Sequence, residues 1–197
     1  MKKVSLSESG IQLLFTEARS FNKWKNIPVS EEIIRKMFDL LKMGPTSANC
    51  SPARFHFVKT QKGKQKLRAG LSKGNLEKTL SAPVTVIIAY DTQFFNQLDQ
   101  LFPHENAKIW FAGNKELITE TAFRNSTLQG AYLMLAARSL GLDCGPLSGF
   151  NKEVINNLFF PDGQFNVNFI CNIGYGDTDD ILPRLPRFNF DDVCVFS

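Results

Sequence analysis

The sequence predicts a single α+β domain, and three features of its 197 residues support that prediction. Two apolar segments rich in β-branched residues, 84–90 and 166–173, have the composition of strands that are buried on both faces. A long helical pattern over 114–140 carries apolar residues on several sides, so it needs neighbours on several sides. No internal repeat, low-complexity tract or linker divides the chain. We therefore expect one domain over 1–197, in which helices outnumber strands.

The other elements follow from local patterns, taken in chain order. These patterns predict a helix over 6–18, an amphipathic helix over 30–43, a strand over 55–59, a lysine-rich surface helix over 60–71 and a short helix over 151–159. Gly141 is expected to end the long helix, because glycine readily takes the left-handed conformation that closes many helices. The turn Gly-Tyr-Gly-Asp at 174–177 then leads from the second buried strand into a tail that begins at Thr178.

Charge and composition exclude several classes of function. The net charge of +4, from 23 basic and 19 acidic side chains, is too mild and too dispersed for a nucleic-acid surface, but it suits an anionic cofactor or substrate. The lysine-rich stretch 59–73 lacks the interleaved aromatic residues of a single-strand binding surface. Four widely spaced cysteines and two histidines do not have the spacing of a zinc site, so no metal is predicted.

The cellular location is predicted from two features. Met1–Lys3 is followed by a polar stretch rather than by the apolar core of a signal peptide. The longest strongly apolar run, 84–89, is too short to span a bilayer. We expect a cytoplasmic protein with reduced thiols and no membrane partner.

The segment Gly44–Arg54, Gly-Pro-Thr-Ser-Ala-Asn-Cys-Ser-Pro-Ala-Arg, has a composition that points to ligand binding. Its side chains are small and carry hydroxyl or amide groups, which leave the backbone open to close approach and offer donors and acceptors at short reach. The alternative is an ordinary loop between a helix and a strand, since the same residue types dominate turns for local reasons.

Four segments in this order resemble the nitroreductase family of FMN-dependent oxidoreductases. They are Arg-Ser-Phe-Asn-Lys at 19–23, the 44–54 segment, Gly-Pro-Leu-Ser-Gly-Phe at 145–150, and Gly-Tyr-Gly-Asp at 174–177 with Leu-Pro-Arg-Leu-Pro-Arg at 182–187. More narrowly, the combination is similar to the malonic semialdehyde reductases of pyrimidine degradation. The resemblance runs from about 15 to 187.

This resemblance implies an architecture and a cofactor. The family has a nitroreductase-like α+β fold, a central, mostly antiparallel sheet flanked by helices, and forms an intertwined homodimer with one FMN in each of two clefts at the subunit interface. The tail, about 178–197, is expected to reach across the dimer. The apolar long helix and the 18 phenylalanines favour a dimer independently, because one protomer has difficulty hiding so much aromatic surface.

By the same resemblance, individual residues are expected to hold FMN. Arg19, Ser20 and Lys23 belong to the first motif, and Arg184 with Arg187 would close on the phosphate, for which guanidinium groups are strong partners. The remaining contacts are an amide and a lysine at the pyrimidine edge (Asn75, Lys78), a loop from the partner subunit (Pro45, Thr46, Ser47, Asn49) and a segment against the ring (Pro146, Leu147, Ser148, Gly149). A backbone N–H from about Ser148 is expected to reach N5, with Gly145 and Gly149 permitting the approach.

The implied reaction is a ping-pong cycle in which NADPH or NADH delivers hydride to the flavin and a small aldehyde acid then accepts it. For the closer resemblance the substrate is malonic semialdehyde and the product 3-hydroxypropionate. No side chain is assigned as catalytic, because the cofactor performs the hydride transfer at N5. Arg54 and Arg124 are candidates for the substrate carboxylate, although arginines more often serve in ion pairs.

The sequence departs from the family pattern at three places. The usual serine of the first motif is displaced, with Phe21 in the middle of the motif. Pro52-Ala53-Arg54 lacks the aromatic residue that many nitroreductases have after this proline, and Leu182 replaces an expected lysine, so that Arg187 is a substitute for it. Two alternatives remain open: a nitro or quinone reductase of broad specificity, and a flavin-binding protein without enzymatic activity.

Overall fold

The computed structural model describes residues 4–197. Met1–Lys3, on which the prediction about a signal peptide partly rests, lie outside the described residues. The helices are α1 Glu8–Ile11, α2 Glu31–Leu41, α3 Gln61–Arg68, α4 Leu76–Leu80, α5 Leu98–Leu101, α6 Lys115–Ser139, α7 Lys152–Phe159 and α8 Phe190–Val193. The strands are β1 Ala53–Val58, β2 Val84–Asp91, β3 Asp143–Leu147 and β4 Phe165–Gly174. Within the described range, helices therefore outnumber strands, as predicted.

The four strands form one sheet in the order β1-β2-β4-β3, and every neighbouring pair is antiparallel. The two segments predicted as buried strands are β2 and β4, which occupy the centre of the sheet. Consequently β1 and β3 are the outer strands. This arrangement decides which candidate residues lie near one another.

Helices cover both faces of the sheet, and alternate residues of β2 divide between the two layers. Val86 and Ile88 pack in a cluster with residues of α2 and α6, whereas Ile87 and Ala89 pack in a second cluster with residues of α3 and α7. A strand with both faces covered needs apolar residues at successive positions, which explains the unbroken apolar run. A third cluster around Phe94 covers the end of the sheet where β1 begins.

The longest helix, α6, begins and ends where the sequence indicates. The side chain of its N-cap, Asn114, accepts a hydrogen bond from Leu117 N at 3.0 Å. At the other end, Gly141 has a φ of +76°, the left-handed conformation expected of it. In residues 4–197, no helix combines the length and the apolar character needed to cross a membrane.

The outer strand β3 is absent from the sequence-based prediction, which assigns no helix or strand between the end of the long helix and the short helix over 151–159. Pro146 has no N–H to donate, and a sheet tolerates such a residue on an outer strand. Gly145 lies under the segment 19–24: a Cβ at this position would stand 2.5 Å from the carbonyl oxygen of Phe21. Close packing within the protomer therefore already requires this glycine.

The lysine-rich helix, α3, does not lie wholly at the surface as predicted, because one of its lysines is buried. Lys64 in α3 is only 3% exposed. Its Nζ donates to the carbonyl oxygen of Thr79 at 2.7 Å and to Thr85 Oγ1 at 2.5 Å. Thr85 Oγ1 in turn donates to Asn172 Oδ1 at 2.7 Å. Helix periodicity alone did not reveal that this cation points toward the sheet.

Candidate functional site

The segment that carries the first motif lies along the outer edge of β3. Ser20 forms a bridge with Cys144, and Phe21 N donates to the carbonyl oxygen of Cys144 at 3.0 Å. Farther along, Trp24 pairs with Gly176. These contacts hold Arg19, Ser20 and Lys23 beside the strand that leads into the 146–149 segment.

Helix α4 brings two further candidates to the same place. Asn75 Nδ2 donates to the carbonyl oxygen of Gly149 at 2.8 Å, and Trp24 Nε1 donates to the carbonyl oxygen of Lys78 at 2.9 Å. A Cβ on Gly149 would lie 2.4 Å from Asn75 Nδ2, so this contact requires glycine. A hollow of about 220 Å³ opens here, and its lining residues are Asn22, Lys23, Gly74, Glu77 and Lys78.

The end of β3 presents backbone rather than side chains to this cleft. Pro146 and Ser148 are exposed, whereas the side chain of Leu147 points into the second core cluster. The Ser148 N–H donates to no acceptor in the part of the chain that the structure describes. The predicted contact of Leu147 with a ligand is therefore restricted to its backbone.

A cavity of about 790 Å³ adjoins the first motif and is lined by four arginines: Arg19, Arg138, Arg184 and Arg187. Each of them donates to backbone carbonyl oxygens. Arg184 Nη2 reaches Thr16 O at 2.6 Å and Ala18 O at 3.2 Å, and Arg19 Nη2 donates to Leu182 O. Among the side chains that the structure describes, those of 4–179 and 181–197, no carboxylate lines this cavity. Four guanidinium groups in one cavity make it a strong anion site.

Sequence reasoning missed Arg138. It lies in the last turn of α6, where a cation stabilises the helix dipole, and this ordinary role gave no sign of a ligand. Arg138 reaches the cavity only because α6 packs against the helical segment Gln12–Thr16.

The loop before β1 is held by a different set of neighbours. Ser47 N donates to Asn125 Oδ1 of α6 at 2.8 Å, and Asn49 Nδ2 donates to the carbonyl oxygen of Leu101 at 2.8 Å. Ala48, Asn49 and Ser51 all have positive φ, of 48°, 48° and 38°. Left-handed backbone costs an alanine about 1–2 kcal/mol, and such strain collects at functional sites. A mere connector has no need of it, so the strain favours the ligand-binding interpretation.

The candidate residues therefore form two separate groups within one protomer. The larger group lies at β3, and the loop residues Pro45, Thr46, Ser47 and Asn49 precede β1 at the opposite outer strand. Three strand spacings, roughly 14 Å, separate these outer strands. One protomer does not assemble the whole predicted set.

Both arginines predicted for a substrate carboxylate are engaged in ion pairs. Arg54 Nη2 lies 2.6 Å from Asp91 Oδ2, and Asp91 is almost fully buried. Asp91 Oδ1 also accepts from Gln93 N at 2.8 Å. Arg124 pairs with Glu120 on the exposed face of α6. This geometry favours the structural alternative for both.

This chain is similar to known proteins over most of its length. The sequence profile of the nitroreductase family matches residues 16–175. A protein of Polynucleobacter asymbioticus, provisionally named an NADH dehydrogenase/NAD(P)H nitroreductase, is 54% identical over 189 residues, which are 96% of each chain. A Ralstonia nicotianae protein with the same provisional name is 53% identical over 190 residues, 96% of this chain and 97% of its own. A protein of Exiguobacterium sibiricum, provisionally named a nitroreductase and solved in complex with FMN, superposes with a TM-score of 0.86 at 19% identity, covering 99% of this chain and all of its own. At that identity the last likeness shows the fold alone.

Proposed function

This chain belongs to the nitroreductase family of oxidoreductases, and on that premise we propose that it is an FMN-dependent NAD(P)H oxidoreductase that acts as a homodimer. The observation that carries the proposal is the cleft beside β3. Residues of the first motif line both an arginine-rich cavity, through Arg19 and Ser20, and a lysine-bearing hollow, through Asn22 and Lys23, and the exposed end of β3 follows in the same region.

The residues of this cleft suit the three chemical parts of FMN. The arginine cavity suits a phosphate dianion, because guanidinium groups form bidentate, charge-assisted hydrogen bonds with it. The hollow beside Lys78 suits the electron-rich edge of the ring. The exposed Pro146 and Ser148 offer an apolar surface and an N–H donor that has no acceptor among the described residues.

When bound, FMN would supply hydride transfer, a reaction for which the protein has no group of its own. Arg19, Arg184 and Arg187 would neutralise and orient the phosphate. Lys78, which has no ion-pair partner among the described residues, would stabilise negative charge at the pyrimidine edge, as a fixed cation stabilises an anion that forms beside it. The Ser148 N–H would donate a hydrogen bond to N5.

In the homodimer, the loop at 45–49 of the partner subunit would complete the cleft beside β3. The support is the separation of the candidate residues onto opposite outer strands. Exposed apolar side chains lie on α6 (Phe123, Leu128, Tyr132) and along the tail (Leu182, Leu185, Phe188, Phe190, Val193, Val195, Phe196), and the tail is almost wholly exposed in one protomer. A twofold dimer would cover both sets. Sedimentation equilibrium tests this: a protein that stays monomeric at micromolar concentration contradicts the dimeric site.

For the oxidising substrate, we propose malonic semialdehyde, which the motif combination favours. The lack of an aromatic residue at Pro52-Ala53-Arg54 makes the pocket less suited to stacking a nitroaromatic. A nitro or quinone reductase of broad specificity is the second candidate, since the relatives carry a nitroreductase name. Steady-state rates with malonic semialdehyde, a nitroaromatic and a quinone separate them. A semialdehyde kcat/KM no higher than that for the quinone would overturn the narrower proposal.

The flavin proposal has a direct spectroscopic test. Purified protein should be yellow or should bind added FMN, and anaerobic NADPH or NADH should bleach the absorbance at about 450 nm. Bleaching by one nicotinamide and not the other also identifies the donor. A flavin that binds but is not reduced would leave only a carrier function.

A matched pair of variants sharpens this test. Lys78→Met should lower the flavin reduction potential by roughly 30 mV, about 1.4 kcal/mol for a two-electron couple, because the reduced ring loses a cation. Lys73→Met, at an exposed position in the preceding turn, should leave the potential unchanged. Equal potentials in both variants would remove Lys78 from the site.

The cytoplasmic location and the absence of nucleic-acid and membrane partners stay predictions from the sequence.

A further inference from the structure

Arg138 has no role in the proposed function described so far, although it faces the same cavity as the arginines of the motifs. It is half-buried and rises from the last turn of α6, the longest helix of the fold. Arg19 comes from a loop and Arg184 and Arg187 from the extended tail. Arg138 is therefore the only one of the four that a packed helix holds in place.

The hydrogen bonds of Arg138 leave most of its donors available. Nη1 donates to the carbonyl oxygen of Leu14 at 3.2 Å, and this is its one hydrogen bond within residues 4–197. A guanidinium group has five N–H donors, so one long bond does not satisfy a half-buried one. An ordinary helix-capping cation would instead donate to the carbonyl groups of its own last turn.

The cavity lacks a positive charge that the family pattern provides, and Arg138 supplies a positive charge there. The resemblance places a lysine at 182, where this chain has leucine, and Leu182 lines the cavity together with Arg138. The Leu182 carbonyl accepts from Arg19, so one guanidinium of the first motif is partly occupied by the tail. Arg187, the substitute for that lysine in the tail, has its guanidinium group donating to the carbonyl oxygens of Leu185 and Pro186, so Arg138 offers a phosphate dianion in this cavity a second replacement cation.

We propose that Arg138 is a phosphate-binding residue of the flavin site, which acts together with Arg187 in place of the missing cation at 182. The proposal rests on FMN binding, and it concerns only the phosphate group. Riboflavin has the same ring without that phosphate, so the two ligands separate a phosphate contact from a general structural effect.

The test is flavin binding to protein from which the cofactor has been removed, measured by quenching of flavin fluorescence. Arg138→Gln should raise the Kd for FMN roughly 10- to 100-fold, the usual range for a lost hydrogen-bonded charge, and should change the Kd for riboflavin less than about twofold. Arg138→Lys keeps the charge but loses the planar fork, so we expect a loss of about 3- to 10-fold for FMN only. Arg68→Gln, at an exposed site on α3, is the control and should change neither.

Each outcome has a distinct meaning. An FMN Kd that is unchanged, or parallel losses for FMN and riboflavin, would overturn the role of Arg138. If Arg138→Gln does not fold, as circular dichroism would reveal, the lysine variant and the ³¹P resonance of its bound FMN decide: a resonance identical to that of the parent protein contradicts the contact. A parent protein that binds neither flavin contradicts the proposed function itself.

Discussion

The buried Lys64 should make the stability of the protein depend on pH in a direction that is unusual for a lysine. Burial lowers the pKa of its ammonium group from 10.5 to about 7. Lysines that gain an acidic partner show a raised pKa instead, but the partners of Lys64 are a carbonyl oxygen and a hydroxyl group.

The sign follows from proton binding. The unfolded chain keeps this proton up to about pH 10.5, whereas the folded protein releases it near pH 7. Between these values the unfolded state binds more protons, so the free energy of unfolding rises with pH. The burial penalty is present in full below about pH 7 and disappears as the pH rises to 10.5. The pKa difference corresponds to about 5 kcal/mol at 1.36 kcal/mol per unit, and the slope to at most about 1.4 kcal/mol per pH unit.

Urea unfolding of the parent protein, Lys64→Met and Lys62→Met between pH 7 and 8.5 tests this. The parent should gain up to about 2 kcal/mol over this interval relative to Lys64→Met. Lys62→Met replaces an exposed lysine of the same helix and should follow the parent. His56, whose pKa burial lowers from 6.5, titrates below the interval. A difference between the parent and Lys64→Met that stays constant, or falls with pH, would refute the reasoning.

Three further substitutions test the packing by chemical denaturation. Asp91→Ala leaves its arginine partner and two other donors without an acceptor and should cost about 3 kcal/mol; a loss under 1 kcal/mol would show that water replaces the carboxylate. Gly44→Ala would place a Cβ 2.6 Å from the ring of Tyr132 and should cost about 1–3 kcal/mol, whereas Gly74→Ala meets open space and should cost nearly nothing; equal values contradict the contact. Ala48→Gly relieves a φ of 48° and should stabilise the protein by up to about 1 kcal/mol, and a destabilised variant would argue against the strain.

The parts of the fold that the sequence predicts correctly are those whose pattern is local. The apolar run of β2 and the end of α6 at Gly141 are properties of neighbouring residues, and both are confirmed. β3 was missed because Gly145 and Pro146 disfavour a strand locally, and pairing with β4 overrides that preference.

In the candidate site, too, some residues can be predicted from local sequence, whereas the position of others depends on contacts with distant residues. The motif residues at 19–23 and 75–78 are recognisable in the sequence, and the structure brings them together beside β3. Local patterns do not reveal the burial of Lys64, because its partners, Thr79 and Thr85, come from a helix and a strand that no local pattern connects to it. The position of the Arg138 side chain in the cavity likewise depends on helix packing, which no local pattern reveals.

The placement of the candidate residues on opposite outer strands has a genetic consequence in the proposed dimer. Suppose that one chain is inactivated at Lys78 and another at Asn49. In a mixed pair of these chains, twofold symmetry would gather both lesions into one catalytic centre and leave the second centre intact. Random pairing makes half of the dimers mixed, so co-expression of two dead alleles would restore about a quarter of the turnover of the parent, whereas two lesions on the same side would restore none.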